Sequence, residues 1–236
     1  MGSGRAEGLR DVMVRYVGLS CWMFVLQVVA FFVSAGRTDI PRAWAFFFVT
    51  LAYYLLNGAV LYRFNPELLR YRVELRRRSS ELWDEVLMRV INLVLLVVTP
   101  PVAGLEVGRL RGSCIDGFYV MVGSALYITG SSLVTWAMAV NPYFEPAVRI
   151  QRDRGHRVVT AGPYGFVRHP GYLGEILWAL SVPLLLGSLL AFIPVVAAIL
   201  LIIVRTFLED RFLTRELEGY AEYAERVRYR LFFGVW

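Results

Sequence analysis

Apolar residues in this chain arrive in long blocks instead of at the helical or strand period expected of a soluble domain with a polar shell. A helix needs about 20 mostly apolar residues to cross a bilayer's hydrocarbon core. Six blocks meet or approach that length, at residues 14–35, 43–62, 86–105, 118–140, 172–190 and 192–208. Pro100 and Pro101 are predicted to kink or end the third block, because proline lacks the N–H that a helix interior requires. Gly187-Ser188 near the junction of the last two blocks predicts a tight helical hairpin. The expected fold class is therefore all-α, a polytopic integral membrane protein of six spans. It is read as a single domain over residues 1–236, with four spans in 1–140 and the remaining two in 141–236.

Charge adds an orientation. Every one of the 25 basic residues is arginine, and the formal net charge is +6. With the N-terminus in the cytosol, Arg5, Arg10, Arg15, Arg63, Arg70, Arg72, Arg76, Arg77, Arg78, Arg149, Arg152, Arg154, Arg157 and Arg168 fall inside, together with the arginines from Arg205 to Arg230. Only Arg37, Arg42, Arg109 and Arg111 fall outside, as the positive-inside rule demands, so both termini are expected in the cytosol. This asymmetry explains the basic balance better than nucleic-acid binding, and no nucleic-acid partner is expected. The stretch 63–85 mixes leucines with arginines and has two readings, an interfacial amphipathic helix or a solvated loop that sets topology.

Other compositional signals carry less. Cys21 and Cys114 cannot build a disulfide framework or a zinc site, and two histidines without a clear third ligand predict no metal site. The first apolar block is too long for a secretory signal, and neither chain end shows a lipidation motif.

Chemistry is concentrated in the loop 141–170 and the tail 205–236, both on the inner side. The loop holds both histidines, His156 and His169, and turns at Gly162-Pro163 and Pro170-Gly171 around the aromatic residues Tyr164 and Phe166. Turns leave backbone N–H groups open and aromatic rings offer stacking faces, which suits a ligand with an adenine ring, although a plain structural loop has the same composition. Arg205 and Glu209 are four residues apart, hence on one helix face. Near the inner end of a span, Arg205 should snorkel or pair, since an arginine at the bilayer centre costs about 2.5–3.5 kcal/mol. Tyr172 and Trp178 equally suit interfacial anchors. Glu175, just inside the fifth block, is the main charge within a span.

The ordered set Val158-Val159-Thr160-Ala161-Gly162-Pro163-Tyr164, then Val167-Arg168-His169-Pro170-Gly171-Tyr172-Leu173-Gly174, resembles the signature of the isoprenylcysteine carboxyl methyltransferase family. Glu209-Asp210 resembles that family's acidic pair. Gly219-Tyr220-Ala221-Glu222-Tyr223 and Val227-Arg228-Tyr229-Arg230-Leu231 resemble its tail. The resemblance covers roughly the last ninety residues, and it implies a membrane methyltransferase that uses S-adenosylmethionine and releases S-adenosylhomocysteine.

It also implies roles. Gln151, His156, Arg157, Val158, Val159, Tyr164, His169, Pro170, Gly171, Tyr172 and Glu209 match cofactor-binding positions. Arg205 matches the arginine facing the substrate and, with His169, a catalytic position. Gly171 stands where the family's box often carries Ser or Thr. The implied acceptor is lipidic or apolar and reaches the site from membrane lipid, as the carboxylate of a prenylated cysteine would. Alternatives are a phospholipid amine or a small thiol as acceptor. Outside this class stand a membrane reductase and a non-catalytic membrane protein.

Overall fold

The computed structural model describes residues 3–73, 81–110 and 116–236. The described residues are helical and contain no strand. Helices α1 (Ser3–Ala35) and α2 (Pro41–Phe64) are followed by the short α3 (Pro66–Val73). One continuous helical run then comprises α4 (Leu82–Asn92), a π segment (Leu93–Val98), α5 (Thr99–Gly104) and a second π segment (Leu105–Leu110). Helices α6 (Gly117–Val140), α7 (Pro170–Leu186), α8 (Phe192–Glu216) and α9 (Tyr220–Arg226) complete the order.

Five helical runs, Gly8–Ala35, Pro41–Phe64, Leu82–Leu110, Gly117–Val140 and Phe192–Glu216, are long and apolar enough to cross a membrane. Pro170–Leu186 is apolar but only 17 residues, about 26 Å at 1.5 Å per residue. The fifth block is shorter than expected because residues 187–190 go into the turn that opens the α7–α8 hairpin. Gly187 makes that turn at φ +83°, and its N–H reaches the Pro183 carbonyl at 2.9 Å. The sixth runs past its apolar block to Glu216, which carries Glu209 and Asp210 beyond the apolar core of the span.

Pro100 and Pro101 do not end the third helix. They sit in the first turn of α5, directly after the π segment, where missing donors cost little. The widened turn is closed by the Thr99 N–H on the Val94 carbonyl, and the Thr99 hydroxyl donates to the same oxygen at 2.8 Å. Of the stretch 63–85, residues 66–73 form α3 and 82–85 open α4. Arg76, Arg77 and Arg78 lie outside the described residues, as do Arg111 and Cys114.

Close backbone approaches hold the spans together. A Cβ on Gly130 of α6 would lie 2.6 Å from the Gly174 carbonyl of α7, and one on Gly104 would lie 2.2 Å from the Phe31 carbonyl of α1. Small residues at such contacts are how helices associate when lipid supplies no hydrophobic drive between them. One core cluster, with Phe31, Phe47, Ala103 and Leu186, joins α1, α2, α5 and α7. Another joins α4, α7 and α8 through Ile91, Ile176, Ala198 and Ile202, and takes in Leu231 of the tail.

The N-terminal part of α1 meets the end of α2, α3 and the end of α6 through Met13, Leu61, Leu68 and Met138. The tail pairs its backbone with residues 168 and 169 at that same end, so both chain ends share one side of the bundle. At the opposite end, Glu106 accepts from the Ser188 hydroxyl and from the Leu190 N–H, fastening the α7–α8 turn.

Candidate active site

Helix α6 stops at Asn141, and the chain crosses the end of the bundle that holds both chain ends before α7 begins. Asn65 ties that exit down, donating to the Met138 and Asn141 carbonyls at 2.7 and 3.0 Å. The Asn141 side chain donates to the Tyr164 hydroxyl at 2.9 Å, and the Tyr164 carbonyl accepts from Tyr223 at 2.7 Å. Burial pushes the hydroxyl pKa values of Tyr164, Tyr220 and Tyr223 up, so all three stay protonated.

Gln151 is buried and donates to the Tyr143 carbonyl at 2.9 Å, while its N–H meets His156 Nδ1 at 3.3 Å. The His156 ring lies against Tyr143, 4.4 Å between centroids. Burial, reinforced by Arg149 and Arg154, lowers its pKa to about 4, so His156 is neutral at pH 7. The backbone N–H groups of Arg157, Val158 and Val159 have no hydrogen-bond partner among the described residues.

The Arg168-His169 pair is the junction of loop, α8 and tail. Arg168 grips Asp210 with two bonds at 2.7 and 2.8 Å, and Nη1 reaches the carbonyls of Val227 and Arg228, both at 2.8 Å. The N–H groups of Arg168 and His169 donate to the carbonyls of Tyr229 and Arg230. Asp210 also receives Tyr220 at 3.0 Å, Arg230 at 2.8 Å and His169 Nε2 at 3.2 Å. With that many donors Asp210 is an acceptor only, so Nε2 of His169 carries the proton and Nδ1 is left as its acceptor.

The His169 ring stacks on Tyr172 at 5.7 Å and 15°, and the Tyr172 hydroxyl donates to Glu209 in a short bond. Arg205 lies over the other partner of that contact, 5.0 Å from the Tyr172 ring centroid. Its Nε donates to Asp84 at 2.6 Å and its Nη2 to the Pro146 carbonyl at 2.7 Å. Asp84, fully buried, also accepts from the Val148 N–H at 2.7 Å. Arg205 therefore pairs, as one of its two sequence readings required, and only Nη1 is left without a partner among the described residues.

These groups surround one cavity of about 480 Å³. Gln151, His156, Arg157, Val158, Val159, Tyr164, His169, Gly171, Tyr172, Arg205 and Glu209 all line it. Pro170 is buried as the first residue of α7 and sets the helix start without lining the cavity. Gly171 needs its hydrogen: a Cβ there would lie 2.5 Å from the Phe144 ring, so the Ser or Thr of the family's box finds no room.

Residues beyond the implied cofactor and substrate positions also shape the site, among them Glu175 and Trp178, which the sequence had already singled out. Asp84, Asp210 and Arg168 fix its frame, while Tyr16, Tyr53, Tyr54, Arg72, Glu175 and Trp178 extend the cavity into the bundle. Arg168 and Asp210 were inside recognised motifs. Asp84 gave no local signal, because its partner is 121 residues away.

The sequence profile described as "Isoprenylcysteine carboxyl methyltransferase (ICMT) family" matches residues 122–215. Over that stretch the chain is similar to this family. The match runs from α6 through the loop and α7 to the end of α8, which is most of the cavity wall. Among similar proteins are protein-S-isoprenylcysteine O-methyltransferase of Schizosaccharomyces pombe (37% identical over 62 residues, 26% of this chain and 25% of that protein) and that of Saccharomyces cerevisiae (30% over 119 residues, 49% and 47%). Protein-S-isoprenylcysteine O-methyltransferase B of Arabidopsis thaliana is 30% identical over 91 residues, 36% of this chain and 44% of that protein. The similarity thus spans half or less of each of these relatives. The isoprenylcysteine carboxyl methyltransferase match ends before the tail, whose place at the site rests on the backbone pairing with Arg168 and His169.

Proposed function

We propose that the chain is an integral membrane methyltransferase that moves a methyl group from S-adenosylmethionine to a lipidic acceptor, with the carboxylate of an isoprenylated cysteine as the leading candidate. The whole chain acts as one domain in this reading, with the cavity mouth facing the cytosol. One observation supports it most: the His169–Tyr172 pair of α7 and Glu209 of α8 form one wall of a cavity that continues between membrane-level helices. A soluble donor and a membrane-borne acceptor can meet only in a chamber of that kind.

The donor set suits the cofactor. The volume lies within the usual range of small-molecule sites, about 300–1,000 Å³. Open N–H groups at 157–159 suit the edge of an adenine ring, Tyr164 adds an aromatic wall, and Glu209 has a carboxylate oxygen to spare for an ammonium or ribose hydroxyl. When bound, S-adenosylmethionine supplies an electrophilic methyl group.

The protein's task is then placement. Tyr172 holds Glu209, Arg168 and the tail hold α8 against the loop, and the Asp84–Arg205 pair locks the far wall. Alignment of this kind contributes about 7–11 kcal/mol in well-oriented reactions. A carboxylate acceptor needs no base. His169 presents its protonated nitrogen to Asp210, an arrangement that suits a frame better than proton abstraction.

Calorimetric titration of detergent-purified protein tests the proposal. S-adenosylmethionine and S-adenosylhomocysteine should bind, and Glu209→Gln should weaken both by about tenfold, as loss of a charge-assisted bond does. Binding of NADPH with no response to either sulfur compound would favour a reductase instead. Label from methyl-tritiated donor should appear in a base-labile ester of a prenylcysteine; label in phospholipid amine or thiol would move the assignment to those acceptors.

A further inference from the structure

Arg72, in the last turn of α3, is part of the cavity wall yet differs from its neighbours. Arg149 is paired with Glu145 and Asp153, Arg168 with Asp210, and Arg205 with Asp84. Arg72 has no ion pair among the described residues, and its Nε is buried without a hydrogen-bond partner. The face of Phe144 lies 5.6 Å from its guanidinium carbon. Tyr16, Tyr53 and Glu175 are within electrostatic range, too far to pair with it.

Arg72 is half-buried, so its unpaired charge costs less than that of a fully buried ion, but its buried Nε donor without an acceptor adds to that cost. Such a group persists where something absent from the folded chain completes it. Burial pulls the Arg72 pKa down from its usual value but leaves an arginine charged at neutral pH. The surrounding chamber carries Tyr16, Tyr53, Tyr54 and Trp178, on α1, α2 and the apolar α7, together with the polar Asn57 and Ser131 and the carboxyl group of Glu175. A chamber with aromatic walls beside a cation without an ion pair suits an anion attached to an apolar chain.

We propose that Arg72 is the anchor of the acceptor's carboxylate, and that the inner chamber beside it is the acceptor subsite of a lipidic carboxylic acid. This rests on the methyltransferase reading above and adds the residue that holds the acceptor, a task Arg205 can share only through Nη1. One carboxylate oxygen pairs with Arg72. The other forms the O–CH₃ bond as the S–CH₃ bond of the sulfonium breaks, giving an ester and a neutral thioether. No proton moves.

The test measures binding to protein in lipid nanodiscs saturated with S-adenosylhomocysteine, using N-acetyl-S-farnesylcysteine and its carboxamide as the two probes. Wild type should prefer the carboxylate by about 10- to 100-fold, the weight of a charge-assisted pair. Arg72→Gln should erase that preference while S-adenosylhomocysteine affinity stays within about threefold, a split that general loss of structure does not produce. Should Arg72→Gln fail to fold, site-resolved phenylglyoxal labelling of wild type decides: the carboxylate must protect Arg72 and the carboxamide must not.

Equal binding of both probes by wild type, or a preference that survives Arg72→Gln, overturns the anchor and leaves the cofactor reading standing. An absence of S-adenosylhomocysteine binding in wild type overturns the methyltransferase reading itself, and the anchor with it.

Discussion

Two carboxylates, each deeply buried, hold the site together. Asp84 neutralises Arg205 and caps Val148, so Asp84→Ala leaves a buried arginine without its partner. Breaking a buried pair this way costs about 3–5 kcal/mol, and the expected outcome is a clear drop in the thermal midpoint of the detergent-solubilised protein. An unchanged midpoint would mean that Arg205 finds another acceptor. His156 carries a pH signature. Its pKa falls from about 6.5 to about 4 on folding, so the unfolded chain binds a proton that the folded chain does not. Stability should be flat above pH 6.5 and decline as pH falls through that window toward 4. His156 is partly exposed, which reduces the slope below the full 1.4 kcal/mol per unit that about one pKa unit represents. Unfolding midpoints between pH 7 and 5 should show the decline in wild type and a smaller one in His156→Gln.

At the scale of elements, two contacts transmit order to the site. Helices α6 and α7 touch backbone to backbone at Gly130 and Gly174. Gly130→Ala places a methyl group 2.6 Å from the Gly174 carbonyl and the Trp178 nitrogen, so the helices must part. Overpacking of this kind costs about 1–3 kcal/mol. Because α6 leads into the loop and α7 carries His169 and Tyr172, cofactor affinity should fall along with the midpoint. The tail is the second contact. Deleting residues 217–236 removes the carbonyl acceptors of Arg168, the hydroxyl of Tyr220 beside Asp210 and the buried Leu231. Loss of S-adenosylhomocysteine binding in the truncated chain is the expected result, and retained binding would show that the loop and α8 suffice.

At the scale of the molecule, both chain ends lie on one side of the bundle, as an even number of crossings requires, with α7 counted as a crossing. The arginine distribution leads us to expect that side in the cytosol. Reporter fusions should therefore place both ends inside. Ends on opposite sides would remove α7 from the set of crossing helices and move the cavity mouth relative to the bilayer. The exposed apolar residues along the spans, such as Trp22, Phe48, Leu56, Ile128 and Ile193, face outward from the bundle as lipid contacts would.

The blocks at 14–35, 43–62, 118–140 and 192–208 became helices because a run of apolar residues in lipid must satisfy its own backbone, and a helix does so locally. The loop motif and the acidic pair were equally legible, being written in consecutive residues. Local rules failed where distant chain intervenes. Pro100 and Pro101 were expected to kink or end a helix, and the helix does not end there but runs on after a π segment. Arg205 pairs, as one sequence reading had it, but that its partner is Asp84 of another span was not legible in the sequence. Asp210's five donors and Arg72's isolation exist only after folding. Residue type and periodicity encode which segments cross the membrane; which charges meet, and which one is left without a partner, depends on the separation of side chains far apart in the chain, and packing alone sets that distance.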